Sequence, residues 1–114
     1  MEKNSAQNLF VEDNGLHWED LGNGVSRKII TYDDKLMLVK VVFEKNAVGA
    51  VHHHPHTQIS YIEKGSFEVN INGEKRVMET GGSFYIPPDA PHGVICLQEG
   101  VLIDVFSPMR EDLI

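Results

Sequence analysis

From Gly22-Asn23-Gly24 onward the chain is a succession of short β-branched and aromatic runs, each closed by residues that turn a backbone. The runs are Val25 to Thr31, Lys35 to Phe43, Ile59 to Glu63, Ser66 to Ile71, Lys75 to Glu79, Ser83 to Ile86, Gly93 to Leu97 and Val101 to Phe106, with Asp33-Asp34, Asn72-Gly73 and Gly81-Gly82 among the breaks. Branched and aromatic side chains suit a pleated, half-buried surface, and Asn-Gly supplies the positive φ angles of a tight hairpin turn. No stretch longer than about ten residues carries helical periodicity with caps. Seven or more short strands at this density predict an all-β sandwich or barrel. With 114 residues there is room for one core. We expect an N-terminal arm or edge strand over 1–24, the barrel over 25–106 and a tail over 107–114.

Two strands carry more detail. Phe67, Val69 and Ile71 alternate with Glu68, Asn70 and Asn72, which predicts one buried and one wet face. In the last strand Leu102, Asp104 and Phe106 share a face, so one carboxylate stands among apolar neighbours. A lone acid there either escapes to solvent or is kept for a purpose. Tyr61 and Tyr85 are expected to pack inside the barrel, as bulky aromatics in apolar runs usually do.

The chemistry concentrates in His52-His53-His54-Pro55-His56-Thr57-Gln58 and in Pro91-His92. In an extended strand side chains alternate faces, so His52 and His54 project the same way, roughly 6–7 Å apart at the backbone, and His53 points away. Imidazoles so placed can lean toward one ion through bonds of about 2.0–2.1 Å. Gln58 is in phase with both, and His92 must arrive from a distant strand. Three imidazoles and an amide oxygen leave positions open on an octahedral ion, which ligand binding or catalysis needs. We therefore expect one divalent first-row transition metal (Ni, Zn, Fe, Mn or Co) on His52, His54, Gln58 and His92; these ligand types do not choose among the metals. The tract is internal, broken by Pro55 and followed by an apolar strand, unlike an expression tag. His56 is one imidazole too many and is expected beside the ion or the substrate. His17 reads as a surface residue.

The net charge of −7 argues against nucleic acid or an anionic membrane as partner, and an anionic substrate would need a local cation to hold it. No run approaches the roughly 18 apolar residues of a membrane span and no leader opens the chain, so a cytoplasmic location is expected. The single cysteine, Cys96, excludes an intrachain disulfide and, in the apolar run Val94 to Leu97, reads as a small buried hydrophobe. A small all-β domain with an N-terminal arm favours a homodimer that pairs strands between copies.

The spacing of these residues resembles the cupin superfamily. Its first motif, G-x5-H-x-H-x3,4-E/Q-x6-G, is met by His52, His54, Gln58 and Gly65, with Asn46 at the opening glycine. Its second, G-x5-P-x-G-x2-H-x3-N, is met by Gly81, Pro87 and His92, with Asp89 and Cys96 at the inner glycine and the asparagine. The resemblance implies a double-stranded β-helix, or jelly-roll, barrel. The histidine stretch, the turn Ile86 to Gly93 and the ending Asp104 to Asp112 are similar more narrowly to the pectin-degradation cupins of the KdgF type; Trp18 and the stretch Gly24 to Lys28 extend that likeness, while Thr57 stands where those relatives commonly carry Glu.

This narrower resemblance implies a metal-dependent enzyme that opens 4,5-unsaturated monouronates, released by pectin or alginate lyases, into linear keto sugars. The substrate partner would then be a small sugar acid and the metal a Lewis acid. The roles it implies are proton shuttling for Asp104, pairing with the uronate carboxylate for Arg110, and an apolar wall beside the sugar for Phe106. Two other functions are compatible with the same histidines: an iron-dependent cupin dioxygenase, and a non-catalytic metal- or sugar-binding module.

Overall fold

A computed structural model describes residues 9–114; the first part of the expected arm, residues 1–8, lies outside the described residues. Two long strands, β5 (Thr57–Ile71) and β8 (His92–Ser107), organise everything else. They pair antiparallel from Thr57↔Ser107 to Ile71↔His92, with register shifts between Ile62 and Phe67. On either side of those shifts the two strands have different neighbours. The first half of β5 lies beside β7 (Ser83–Ile86) and its second half beside β6 (Glu74–Glu79). The first half of β8 lies beside β4 (Val48–His52) and its second half beside β3 (Met37–Phe43). Beyond β3 come β2 (Val25–Tyr32) and β1 (Glu19–Gly22). One layer is therefore β1-β2-β3-β8-β5-β7 and the facing layer β4-β8-β5-β6, joined by two strands that bend from one into the other. This is the all-β architecture expected from the turn-divided sequence, in the jelly-roll form that the cupin resemblance implies.

The bend has a steric cause. A Cβ on Gly65, whose φ is +97°, would lie 2.6 Å from the carbonyl oxygen of Gln98, and one on Gly100 would lie 2.6 Å from that of Lys64. Only glycine allows the two backbones to pass so closely with that φ. The sequence reading ends strands at Glu63 and Leu97 and restarts them at Ser66 and Val101; the structure runs each pair together, because pairing continues through the irregular register. β4 escapes sequence detection, since Val48-Gly49-Ala50-Val51 is mostly exposed and lacks apolar alternation.

Alternation elsewhere fills the space between the layers. Met37, Val39, Val41 and Phe43 of β3 face Phe67 and Val69 of β5 and Leu102 and Phe106 of β8 in one core, where Phe43 and Phe67 meet edge to face at 5.3 Å. The expectation that Tyr61 and Tyr85 pack inside is wrong: they are 48% and 55% exposed. Gln58, Ser60 and Ile62 take the inner positions of β5, and Phe84 and Ile86 those of β7, so the period of two places both tyrosines outside. Ahead of β1, Asp13 bridges the outer faces of β2 and β3, 2.8 Å from the Lys28 ammonium and 2.6 Å from that of Lys40, and Lys28 also sits 4.1 Å from the Trp18 ring centre. Among the described residues no helix is long and apolar enough to cross a membrane.

Candidate metal and substrate site

The mouth between the layers holds the histidines. His52 ends β4 directly beside His92, which begins β8, and their rings lie 4.4 Å apart. Strand alternation does not deliver His54, because β4 stops at His52 and the chain re-enters the sheet only at Thr57. A loop does so instead: the His54 carbonyl accepts the Asp89 N–H at 2.8 Å, and the ring swings in to 4.8 Å from His92 and 5.7 Å from His52. One nitrogen from each of the three rings falls within 4.8 Å of the others, a set that can hold a metal ion.

The hydrogen bonds fix which nitrogen each ring offers. Nδ1 of His52 faces the Ala50 carbonyl at 2.8 Å, that of His54 the His56 carbonyl at 3.0 Å, and that of His92 the Ala90 carbonyl at 2.9 Å. A carbonyl only accepts, so each Nδ1 carries a proton and Nε2 is the nitrogen left to face the ion. His92 Nε2 is buried with no hydrogen-bond partner. Burial pushes the His92 pKa down to about 4, and burial followed by the nearby Arg110 charge lowers that of His54, so the buried rings are neutral near pH 7. Carbonyls holding Nδ1–H are the usual support for Nε2 ligation.

Gln58 lies against this set. Its Oε1 lies 3.0 Å from His54 Nε2. With the His54 proton on Nδ1, this contact sets lone pair against lone pair, which is repulsive unless a cation lies between them. Two adjacent donors on an octahedral ion, each bonded at about 2.1 Å, stand about 3.0 Å apart. The residues present thus fit a divalent transition metal, and the orphaned Nε2 of His92 fits it too.

Behind Gln58 runs a buried polar chain. Gln58 Nε2 donates to Ser60 Oγ at 2.9 Å, and Ser60 Oγ donates to Asp104 Oδ1 at 2.6 Å. Ser60 is fully buried and Asp104 is 8% exposed. Burial raises the Asp104 pKa to about 6, while the Ser60 hydroxyl and the Arg110 charge pull the other way. Asp104 does not escape to solvent. Near neutral pH it populates both protonation states, as a proton carrier must.

Arg110 and Phe106 close the opposite side. The guanidinium lies 5.1 Å from the centre of the Phe106 ring, and Phe106 meets the His54 ring edge-on at 5.7 Å. The Arg110 side chain is 12% exposed, so it is no solvated surface charge. One edge of its fork is taken: Nε and Nη2 donate to Asp112 at 3.0 and 2.7 Å, which lowers the Asp112 pKa. The other edge, through Nη1, makes no hydrogen bond to a described residue. His52, Gln58, His92, Asp104, Phe106 and Arg110 line a common cavity of about 180 Å³. That is below the roughly 300–1,000 Å³ of drug-sized pockets and suits a single small ligand.

The structure thus gathers His52, His54, Gln58, His92, Asp104, Phe106 and Arg110 in one place. His53 and His17 are exposed. His56 is half-buried beside His54, 5.5 Å between rings, with its Nδ1 buried and unpartnered. Burial raises the Cys96 thiol pKa and keeps it an inert core residue. Sequence reading missed Ser60 and Asp112. A serine in an apolar strand and an acid in a charged tail carry no signal of their own; only the register Ser60↔Asp104 and the turn after Arg110 reveal them.

A cupin domain model matches residues 39–106. The pectin degradation protein KdgF of Dickeya dadantii (strain 3937) is 50% identical over 107 residues, covering 92% of this chain and 96% of that protein. The chain belongs to the cupin family, among the relatives of KdgF. Solved cupins agree. KdgF from Halomonas sp. superimposes with a TM-score of 0.90 at 38% identity, covering 94% of this chain and 99% of that one. An RmlC-like cupin from Shewanella frigidimarina NCIMB 400 gives 0.91 at 42% identity, covering 94% and 96%. Two of the departures from the cupin motifs are conformational matches: Asn46 and Asp89, standing for glycines, have φ of 74° and 64°. Asn and Asp tolerate that left-handed region better than most side chains.

Proposed function

We propose that this cupin opens 4,5-unsaturated monouronates, the sugar acids left by pectin or alginate lyases, to linear keto sugars. The observation that carries the reading is the buried Asp104 carboxyl, poised near pH 6 beside a donor set of three histidines and a glutamine. Likeness to a pectin degradation protein supports the substrate class.

The reaction is an isomerisation with balanced protons. The anomeric hydroxyl loses its proton as the bond from C1 to the ring oxygen breaks, giving an aldehyde and an enolate across C4 and C5 with its charge on the former ring oxygen. C4 then gains that proton, leaving a ketone at C5. His52, His54, Gln58 and His92 would hold the divalent ion, which when bound supplies a Lewis acid for substrate oxygens. Asp104 accepts one proton and returns one, a task for a group whose pKa lies near the working pH. Arg110 offers its free edge to the uronate carboxylate, and Phe106, 5.1 Å from the guanidinium, gives the sugar an apolar wall.

The test follows the ultraviolet absorbance of the C4=C5 bond when protein is mixed with a 4,5-unsaturated monouronate. Metal-loaded protein accelerates its loss over the spontaneous reaction, and Asp104→Ala removes about 10²-fold or more of the acceleration. No acceleration at full metal loading and excess substrate sinks the proposal. Oxygen consumption during turnover would instead identify a dioxygenase.

A further inference from the structure

Asparagine and glutamine amides have two unlike ends, and a glutamine that ligates a metal must be held with its oxygen inward. We propose that Ser60 is the positioning residue that holds Gln58 this way round, and that it thereby sets how tightly the site keeps its metal ion. The inference rests on Gln58 as the fourth donor and is independent of the sugar chemistry.

Orientation is imposed from the far end of the buried chain. As the carboxylate, its predominant form above about pH 6, Asp104 only accepts hydrogen bonds, and it takes the single proton of the Ser60 hydroxyl at 2.6 Å. With that proton committed, Ser60 Oγ has only lone pairs left for Gln58. It must therefore meet the amide N–H, as it does at 2.9 Å. The amide oxygen is then forced toward His54 Nε2, where it sits at 3.0 Å.

The competing arrangement is a flipped amide whose N–H bonds the lone pair of His54 Nε2. It would be comfortable without metal and would close the site, because a donor would then face the ion. It would also set the Gln58 oxygen against an oxygen with no proton to give, inside a fully buried setting where an unmatched polar group costs on the order of 1–3 kcal/mol. Ser60 thus converts the acceptor character of Asp104 into an oxygen-inward Gln58.

A double-mutant cycle read by metal affinity tests this, with cobalt(II) or nickel(II) competed against a chromophoric chelator. Ser60→Ala is expected to weaken binding about 10- to 100-fold, the usual cost of removing a group that orients a ligand. In a Gln58→Glu background both ends of the side chain are oxygen and there is nothing to orient, so the same Ser60→Ala change is expected to cost less than about threefold. Equal losses in both backgrounds, or none with Gln58 present, overturn the proposal. Should Ser60→Ala prove unable to fold, Ser60→Cys keeps the shape with a weaker donor, and cobalt(II) absorption of the folded variant must show an altered coordination sphere; an unchanged spectrum and affinity overturn the proposal equally. Gln58→Ala separates the premise from the inference: unchanged affinity there removes Gln58 from the ligand set, whatever the sugar assays show.

Discussion

Replacing Asp104 by Asn should cost activity and raise stability, and the size of the second effect follows from where the carboxyl sits. Asp104 is buried, and burial lifts its pKa from 3.8 to about 6. The folded value lies above the unfolded one, so the favourable contribution of the protonated form is fully present below the unfolded pKa, near pH 3.8, and is lost as pH rises through about 6. That rise in pKa corresponds to about 3 kcal/mol over the whole window, of which about 2 kcal/mol falls between about pH 4.5 and about pH 8. An asparagine amide at this position keeps an oxygen to accept from Ser60 but does not ionise. Urea unfolding of chelator-stripped wild type and Asp104→Asn at those two pH values gives the comparison, since other titrating groups cancel in the difference. Relative to wild type, the variant should gain about 2 kcal/mol on going from the lower pH to the higher. A difference independent of pH would refute the claim that burial raises this carboxyl.

Other expectations follow from particular contacts. Arg110→Lys keeps the charge but loses the planar fork held between Asp112 and Phe106, so KM for an uronate should rise roughly tenfold or more with a smaller change in kcat; steady-state kinetics showing a fall in kcat alone would contradict carboxylate pairing. Gly65→Ala combines a left-handed φ with a Cβ 2.6 Å from the Gln98 carbonyl oxygen, and the urea midpoint should report a loss of at least about 2 kcal/mol. A change within about 0.5 kcal/mol would mean the bend does not need glycine. Cys96, buried and with its thiol pKa raised, should react with a thiol reagent only as fast as the protein opens; rapid labelling of the native state would overturn its assignment to the core.

Much of this was legible in the residues. Turn signals and β-branched runs carry the all-β class, and the spacing of His52, His54, Gln58 and His92 singles out four residues that the structure brings to one mouth of the barrel. What the sequence could not convey was tertiary. Whether Glu63 to Ser66 was a break or a bend depended on how closely Gly65 approaches the Gln98 and Glu99 carbonyls. Tyr61 and Tyr85 read as core because size and apolarity do not report phase; the inward turn of Gln58 and Ser60 decided it. His54 reached the right place for a different reason than strand alternation, through a loop pinned by Asp89. Ser60 was silent because its meaning lies in the residue opposite, Asp104, 44 positions away in the chain.

If this barrel, with a metal on its histidines, opens unsaturated uronates with Asp104 carrying the proton, the product should record which side the proton came from. A side chain fixed in the barrel wall can reach only one face of C4, so proton magnetic resonance of the product formed from a 4,5-unsaturated monouronate in deuterium oxide gives the decisive reading. A linear keto sugar should form rapidly with deuterium on one face of that carbon, and this stereospecific product should be lost on Asp104→Ala. A product formed no faster than without protein, or labelled equally on both faces, would contradict the mechanism.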